Sequence, residues 1–398
     1  MIEQAQCNLF HFSTVLITTT IINYLFKSRR AKKVRFNINK SELLNALTIV
    51  SKGTASRSTI PVLSGVYIKA EGMGLVMETT DLERSIRYSV PALVEEEGTT
   101  VIPEKLLLDI VKNLPEAAVE FQTNDSTVTV SCGKSSFTLK TLDAADFPPF
   151  PNVDVSSSIE VPFAEFCSMV KRVAKVVSRD QSRAVLTGVL ISTSDEGLRM
   201  VATDSYRLAV ADIALEGVQE NFEAIVSGVF LQEVAGLPKM EENITIGLTA
   251  NQIVFTYQNM VLINRRIEGN FPNYRQIIPQ SWATKTCFTT QELITAVKRV
   301  GLVSALSSPV KIDINAEAGN AIINAATQDV GSAEEVVGCE VAGESIQIAL
   351  NHQYVLDGLM SVSTDQVFFE TSSPMKPGIF RAGAGENFLY LVMPVRVS

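Results

Sequence analysis

A short motif recurs at a domain-sized interval. Thr80-Asp81-Leu82-Glu83-Arg84 returns as Thr203-Asp204-Ser205-Tyr206-Arg207, 123 residues later, and Thr327-Gln328-Asp329 follows after a further 124 without the arginine. Other landmarks keep the same step. Leu114-Pro115 returns as Leu237-Pro238, Asp146-Phe147-Pro148 as Asn270-Phe271-Pro272, and Met393-Pro394 closes the third copy. Each copy also opens on a helical pattern with an acid-apolar pair: Glu42-Leu43, Glu165-Phe166 and Glu292-Leu293. Such a period is far longer than that of a solenoid or propeller, so each copy is a domain of its own. Three copies fill the 398-residue chain from about Val34 to its end.

Within a copy, period-two alternation dominates. Thr127-Val128-Thr129-Val130-Ser131-Cys132 alternates polar and apolar, the pattern of a strand with one buried face. Ser136–Lys140, Ile253–Tyr257 and Ser345–Ile348 behave alike. The pattern predicts two helices per copy, over 40–51, 103–113, 162–178, 228–236, 289–303 and 351–361. Ser41, Thr289 and Asn351 read as helix caps, and Pro103 and Pro162 as first-turn prolines. The expected class is α+β, built from three similar modules of two helices packed on antiparallel sheets.

The body is acidic while its helices are basic. The whole chain carries 34 Lys+Arg against 43 Asp+Glu, a net charge of −9. In the predicted helix 162–178, Phe163, Phe166, Val170, Val173 and Val177 share one face. Lys171, Arg172 and Lys175 fall on the other side, and Arg179 extends their row. Lys105 and Lys112 lie on the later helix of copy one, and Lys298 and Arg299 on the first helix of copy three. A solvated basic face is the ordinary reading of any one such helix. Their concentration in an otherwise acidic chain suits a surface that faces phosphates.

Several function classes lose support from composition. Two histidines, His11 and His352, leave little for histidine catalysis, and no HExxH or GxSxG segment occurs. The five cysteines are scattered with no CxxC, which points to a reducing, cytoplasmic compartment without a zinc finger or disulfide framework. Cys132-Gly133-Lys134-Ser135 imitates the end of a phosphate loop, but Val128 stands where its first glycine should be. Gly383-Ala384-Gly385 reads as a turn before a strand. Asp81 and Asp204 recur at equivalent positions, which favours turn bonding over catalysis. No cofactor and no metal are expected.

Residues 1–33 differ from the rest. The mainly apolar run Phe10–Phe26 is followed by Lys27, Arg29, Arg30, Lys32 and Lys33. One reading is a membrane anchor with a basic flank. At 17 residues with several threonines it is short for a spanning helix, which needs about 20 apolar residues. The other reading is an upstream extension, disordered or a start-site artefact, with initiation near Val34. Without it the body holds 29 basic and 42 acidic side chains, a net −13.

From about Arg35 to Val397 the chain resembles the bacterial DNA sliding clamp, the beta subunit of DNA polymerase III. The resemblance rests on Val201–Val210, Gly269–Arg275 and Tyr390–Arg396, with Ser58–Leu63 and Ala144–Pro148 in agreement. It implies clamp domains at 34–152, 153–281 and 282–398, joined head to tail in a homodimer that forms a closed six-domain ring. It implies a non-catalytic processivity factor that encircles duplex DNA without regard to sequence. The resemblance places a pocket for linear peptides of the polymerase catalytic subunit, the clamp loader and repair proteins at Leu186, Thr203, Tyr206, Arg207, Leu208, Pro272, Ile277, Leu391, Val392, Met393, Pro394, Val395 and Arg396. Gln276 stands where some relatives carry arginine, and Gly228 and Val229 where some carry a basic pair. Expected DNA-facing residues are Arg57, Lys105, Lys171, Arg172, Lys175, Arg179, Arg183, Lys298 and Arg299. Phe137 and Leu139 of one protomer should face Leu302 and Val303 of the other, although core packing would also explain these four. Two alternatives stand beside the clamp: a hydrolase using a carboxylate pair, and a membrane-tethered scaffold if residues 1–33 are an anchor.

Overall fold

The computed structural model describes residues 33–55, 58–194, 196–215, 223–238, 242–304 and 309–396. Arg57 and the expected extension or anchor, apart from Lys33, lie outside the described residues. Among those described, no helix is long and apolar enough to cross a membrane.

Six α-helices are present among the described residues, two for each sequence copy: α1 (Lys40–Val50), α2 (Glu104–Asn113), α3 (Phe163–Val173), α4 (Gly228–Ala235), α5 (Thr290–Val300) and α6 (His352–Leu359). They pack in the pairs α1–α2, α3–α4 and α5–α6. Apolar residues three, four and seven apart form the buried stripe in each pair. Leu43, Leu47 and Val50 are fully buried in α1, Phe166, Val170 and Val173 in α3, and Leu293, Val297 and Val300 in α5. Burial of each such side chain stabilises the fold by about 1.5–3 kcal/mol.

Four helix ends differ from the sequence expectations. Asn39, not Ser41, is the N-cap of α1. Pro103 and Pro162 are N-cap residues at the ends of strands, and not first-turn residues. There they stop a strand, because a proline nitrogen cannot continue the ladder. The helix expected over 162–178 ends at Val173; a 3-10 turn takes Ala174–Val176, and Val177 is extended. Asn351 caps α6 as expected, its side chain accepting from Tyr354 N at 3.1 Å.

The chain forms two compact units. The first holds the described residues up to Asp154 together with Val254–Asn264. One of its sheets has the order Leu93–Glu96, Arg35–Asn39, Ala118–Asn124, Thr127–Cys132, Ser135–Lys140, all antiparallel. The alternation read in Thr127–Cys132 is realised, with every second residue buried. Gly133, at φ 56°, turns that strand into Ser135–Lys140, so the phosphate-loop imitation is a hairpin. A second layer pairs Gly98–Pro103, Gly65–Glu71, Gly74–Thr80 and Arg84–Pro91, with Leu262 opposite Ile86 on the returning segment.

The second unit holds Val155–Ile253 and the described residues from Arg265 onward. Its nine-stranded sheet has the order Glu223–Ser227, Gly188–Ser194, Gly197–Thr203, Arg207–Ile213, Phe388–Val392, Gly378–Ala382, Gln366–Thr371, Thr284–Thr289, Glu340–Gly343. The sheet is continuous across two sequence copies, because Phe388–Val392 of the third pairs with Arg207–Ile213 of the second. A four-stranded sheet (Gly331–Gly338, Asn320–Thr327, Pro309–Asn315, Ile346–Asn351) completes this unit, along with the pair Ser157–Pro162 and Asn243–Leu248.

Candidate functional site

The repeated Thr-Asp-x-x-Arg motif is a turn built twice. In the first unit, Asp81 Oδ1 accepts from the backbone N–H groups of Glu83 and Arg84 at 3.0 and 2.8 Å, and Oδ2 accepts from Arg84 Nε at 2.7 Å. In the second, Asp204 Oδ1 accepts from Tyr206 and Arg207 N–H at 2.9 and 3.0 Å, and Oδ2 from Arg207 Nε at 2.9 Å. Thr80 and Thr203 each donate to the carbonyl of the motif arginine, at 2.8 and 2.7 Å. These bonds hold Leu82 and Ser205 at φ 76° and 82°. The aspartates are therefore turn-forming, as their recurrence suggests, and each is spent on its own loop.

The second copy of the turn has further partners. Arg207 Nη1 donates to Asp357 Oδ2 at 2.5 Å and to Tyr390 Oη at 3.2 Å, and its guanidinium lies 4.4 Å from the Tyr354 ring centroid. Asp357 and Tyr354 come from α6, and Tyr390 from the last strand. Gly358 permits this approach: a Cβ there would meet Tyr390 Cδ1 at 2.3 Å. Burial opposes the charge on Arg207, but the Tyr390 hydroxyl, Asp357 and Asp204 outweigh it and hold the guanidinium protonated. Burial also pushes the Tyr390 phenol well above its ordinary value, against the pull of Arg207. Arg207 thus ties the second copy to the third.

Around this clamp the structure gathers most of the residues expected for peptide docking. Leu208 stands opposite Leu391 and Arg207 opposite Val392 in the ladder. Met393 N–H donates to Tyr206 O at 2.9 Å, Val395 N–H to Ala349 O at 2.8 Å, and Pro394 bridges to Leu350. Tyr206 and Met393 are 60% and 40% exposed and supply an accessible apolar surface beside Arg207. Phe271, Tyr274 and Ile278 pack on the same sheet, with Phe271 meeting Tyr274 edge-on at 6.4 Å, and Pro272 and Ile277 are exposed residues of that segment. Leu186, Thr203, Leu208, Leu391 and Val392 are buried, so they support the surface and do not themselves present it. Sequence reasoning missed Asp357 and Tyr390, which lie 150 and 183 residues from Arg207 and share no local pattern with it.

The candidate DNA-facing cations separate into two groups. Arg172 pairs with Glu386 and donates to Ser363 Oγ at 2.9 Å. Arg299 pairs with Glu335, with Nε 2.9 Å from Oε2, and Arg183 with Asp180 at 3.1 Å. Lys175 is half-buried; desolvation lowers its pKa, with Asp357 opposing and Arg207 reinforcing the shift. The three arginines are paired within the fold, and Lys175 is half-buried. Lys105, Lys171, Arg179 and Lys298 are exposed and make no ion pair among the described residues.

Of the residues expected at the dimer seam, Leu302 is 83% exposed and Phe137 is 38% exposed. Leu139 is 7% exposed and packs inside its own unit, which is the core role that the sequence left open. Phe137 lies on Ser135–Lys140, an edge strand of the first unit. Gly331–Gly338 is an edge strand of the second unit and exposes Val336 at 58%, a feature the sequence reading did not single out.

No group of three or more His, Cys, Asp or Glu among the described residues is arranged to hold a metal ion. Repeated modules, a half-open apolar surface and carboxylates already bound to arginines define a modular binding protein. Three family models match in succession: the N-terminal, central and C-terminal domains of the DNA polymerase III beta subunit, at residues 34–152, 160–273 and 275–396. The beta sliding clamp of Streptomyces coelicolor is 32% identical over 380 residues, covering 92% of this chain and all of that protein. The beta sliding clamp of Staphylococcus aureus is 29% identical over 374 residues, covering 91% and 99%. The crystal structure of the Bacillus subtilis polymerase sliding clamp superposes with a TM-score of 0.88 at 27% identity, covering 92% of this chain and 100% of that one. The chain belongs to the DNA polymerase III beta subunit family, the non-catalytic sliding clamps.

Proposed function

We infer that this chain works as a DNA sliding clamp, a processivity factor that encircles duplex DNA and tethers the replicative polymerase. The observation that carries the reading is the unbroken match of all three clamp modules, two of them joined by the Arg207–Asp357 contact. A closed ring is retained by topology, so its contacts with DNA can be weak and blind to sequence. Exposed lysines and arginines on flexible stems provide such contacts. Lys105, Lys171, Arg179 and Lys298 are the residues best suited to that role, because the other described candidates are paired or half-buried.

The ring reading requires a head-to-tail homodimer. The unpaired edges Ser135–Lys140 and Gly331–Gly338, with Phe137, Leu302 and Val336 exposed near or on them, would be covered by pairing between protomers. The surface of Tyr206 and Met393, to which the family resemblance adds Ile277, would fit a Leu- or Phe-bearing peptide of a polymerase, clamp loader or repair protein. A crystal structure of the Pseudomonas aeruginosa clamp bound to griselimycin, TM-score 0.87 and 28% identity over 92% of this chain and all of that one, supports a ligand-binding surface in this family. Primer extension tests the tethering role. With a cognate polymerase and loader, the protein should lengthen products per binding event, and Met393→Ala should remove most of the gain. Equal product lengths with and without the protein would contradict the reading.

A further inference from the structure

Beyond the Met393 surface, the same sheet face continues into a cavity of about 460 Å³. Its floor lies two residues further along the two strands that carry Leu208 and Leu391. Val210 and Leu389 face it, followed by Asp212 and Asn387. Two residues of strand advance about 7 Å, so the cavity begins within one or two peptide units of the cleft. Its roof is Tyr274, Arg275 and Ile278, from the segment that also holds Pro272 and Ile277.

The polar groups of the cavity are unevenly satisfied. Arg199 and Asp212, opposite one another in the ladder, close a two-bond pair at 2.6 and 3.0 Å. Arg381 is held by Glu370 at 2.8 Å, and the Glu386 carboxylate is held by Arg172. Arg275 makes no ion pair among the described residues; its guanidinium is exposed, 5.6 Å from the Tyr274 ring centroid. The Tyr274 hydroxyl is buried and finds no acceptor, and the residue is 6% exposed. Its neighbour Arg199 can only donate, so the phenolic proton still lacks an acceptor. Tyr274 and Arg275 line the same cavity, and a buried donor and an exposed guanidinium in one wall call for an acceptor that carries negative charge.

We propose that this cavity is a second docking subsite, where Arg275 and the Tyr274 hydroxyl receive an acidic side chain flanking the Leu/Phe anchor of a peptide bound at the Met393 surface. The proposal rests on the peptide-docking reading given above. It assigns the cavity to a carboxylate that arrives on a polypeptide, because its floor is continuous with the cleft along both strands. A planar guanidinium with two parallel donors matches a carboxylate, while the Tyr274 hydroxyl, from the same lining, would supply a third bond.

The test uses fluorescent peptides with a Ser-Leu-Ala-Leu-Phe core and the full-length protein. One set carries Asp-Glu at either end of the core, and its control carries Asn-Gln. One acidic set should bind about tenfold more tightly than its amide control, as expected for new charge-assisted bonds. Arg275→Gln should erase that ratio while leaving affinity for the bare core unchanged. Tyr274→Phe, which keeps the ring, should reduce the ratio to about threefold. Equal affinity for acidic and amide flanks, with core binding intact, would overturn the subsite alone; so would a preference that survives Arg275→Gln. Saturable binding of inorganic phosphate at Arg275 with no flank preference would make the cavity a free-anion site and also overturn it. Failure of the bare core to bind would overturn the cleft and the subsite together.

Discussion

The Asp81 and Asp204 loops share the Thr-Asp-x-x-Arg turn, its hydrogen bonds and its backbone, yet they bury the motif arginine to different depths. In both, the aspartate closes the turn and holds the motif arginine, at 2.7 Å in one and 2.9 Å in the other. The Arg84 side chain is 28% exposed, whereas that of Arg207 is 10% exposed and also meets Asp357 and Tyr390. The exposed loop residues differ as well: Leu82 and Glu83 in the first, Ser205 and Tyr206 in the second. The turn is thus the inherited, structural part of the motif. What specialises the second copy is the set of partners that the third copy brings to it.

The largest predicted effect tests this contrast directly. Arg207→Ala leaves Asp204, Asp357 and the buried Tyr390 hydroxyl without their shared donor, and should destabilise the second unit by ~3–5 kcal/mol. Arg84→Ala, at a side chain that is 28% exposed, should cost less, about 1–2 kcal/mol. Chemical denaturation followed by hydrogen exchange of each unit measures both. Similar losses in the two variants would break the comparison.

Met393→Ala separates function from fold at the second loop. Truncating this 40% exposed side chain should weaken peptide binding about tenfold, or ~1.4 kcal/mol, with little change in melting temperature. Calorimetric titration against thermal melting would show it; a large drop in stability would mean that Met393 is a packing residue.

The division between engaged and available charge extends to the basic helices. Lys298→Gln should lower the salt slope of DNA binding by about 0.9, the change expected for one lost phosphate contact. Arg299→Gln, whose side chain is already paired with Glu335, should lower it less. Equal slopes for the two variants would show that the Glu335 pairing opens on DNA.

A smaller effect should come from pH. Burial lowers the pKa of His352, the first residue of α6, so the folded state favours its neutral form. Its contribution is therefore complete above the ordinary histidine value of 6.5 and declines as pH falls through the depressed folded value. Acidification should loosen the start of α6, and with it the Asp357 contact, before it affects the Asp81 loop. Hydrogen exchange at mildly acidic pH would detect this, and His352→Gln should suppress it.

Local pattern carried much of this arrangement into the sequence. The 123-residue spacing reports one turn, and its bonds, Asp Oδ1 to two backbone N–H groups, lie within four residues, so the motif is readable directly. The helix pairs are readable because their stripes follow the helical period. The partners of Arg207 were hidden, because Asp357 and Tyr390 meet it through a helix approach at Gly358 and a ladder between distant strands. The same distance hid Glu386 from Arg172, so an arginine that looks available on a helical wheel is held in the fold. Leu139 and Phe137 share a strand and spacing, and only tertiary packing decides that one is buried and the other half-exposed. The proline caps were misplaced by one position because strand and helix meet without a loop, and local sequence marks the junction but not its side.

Topological retention on DNA separates a closed ring from a protein that merely adheres to the duplex. The protein is loaded by a cognate loader onto nicked circular DNA, separated from free protein, and the circle is then cut once. The account predicts stable retention on the circle and rapid loss through the new ends, restored when both ends are blocked. Equal retention on circular and cut DNA would contradict it.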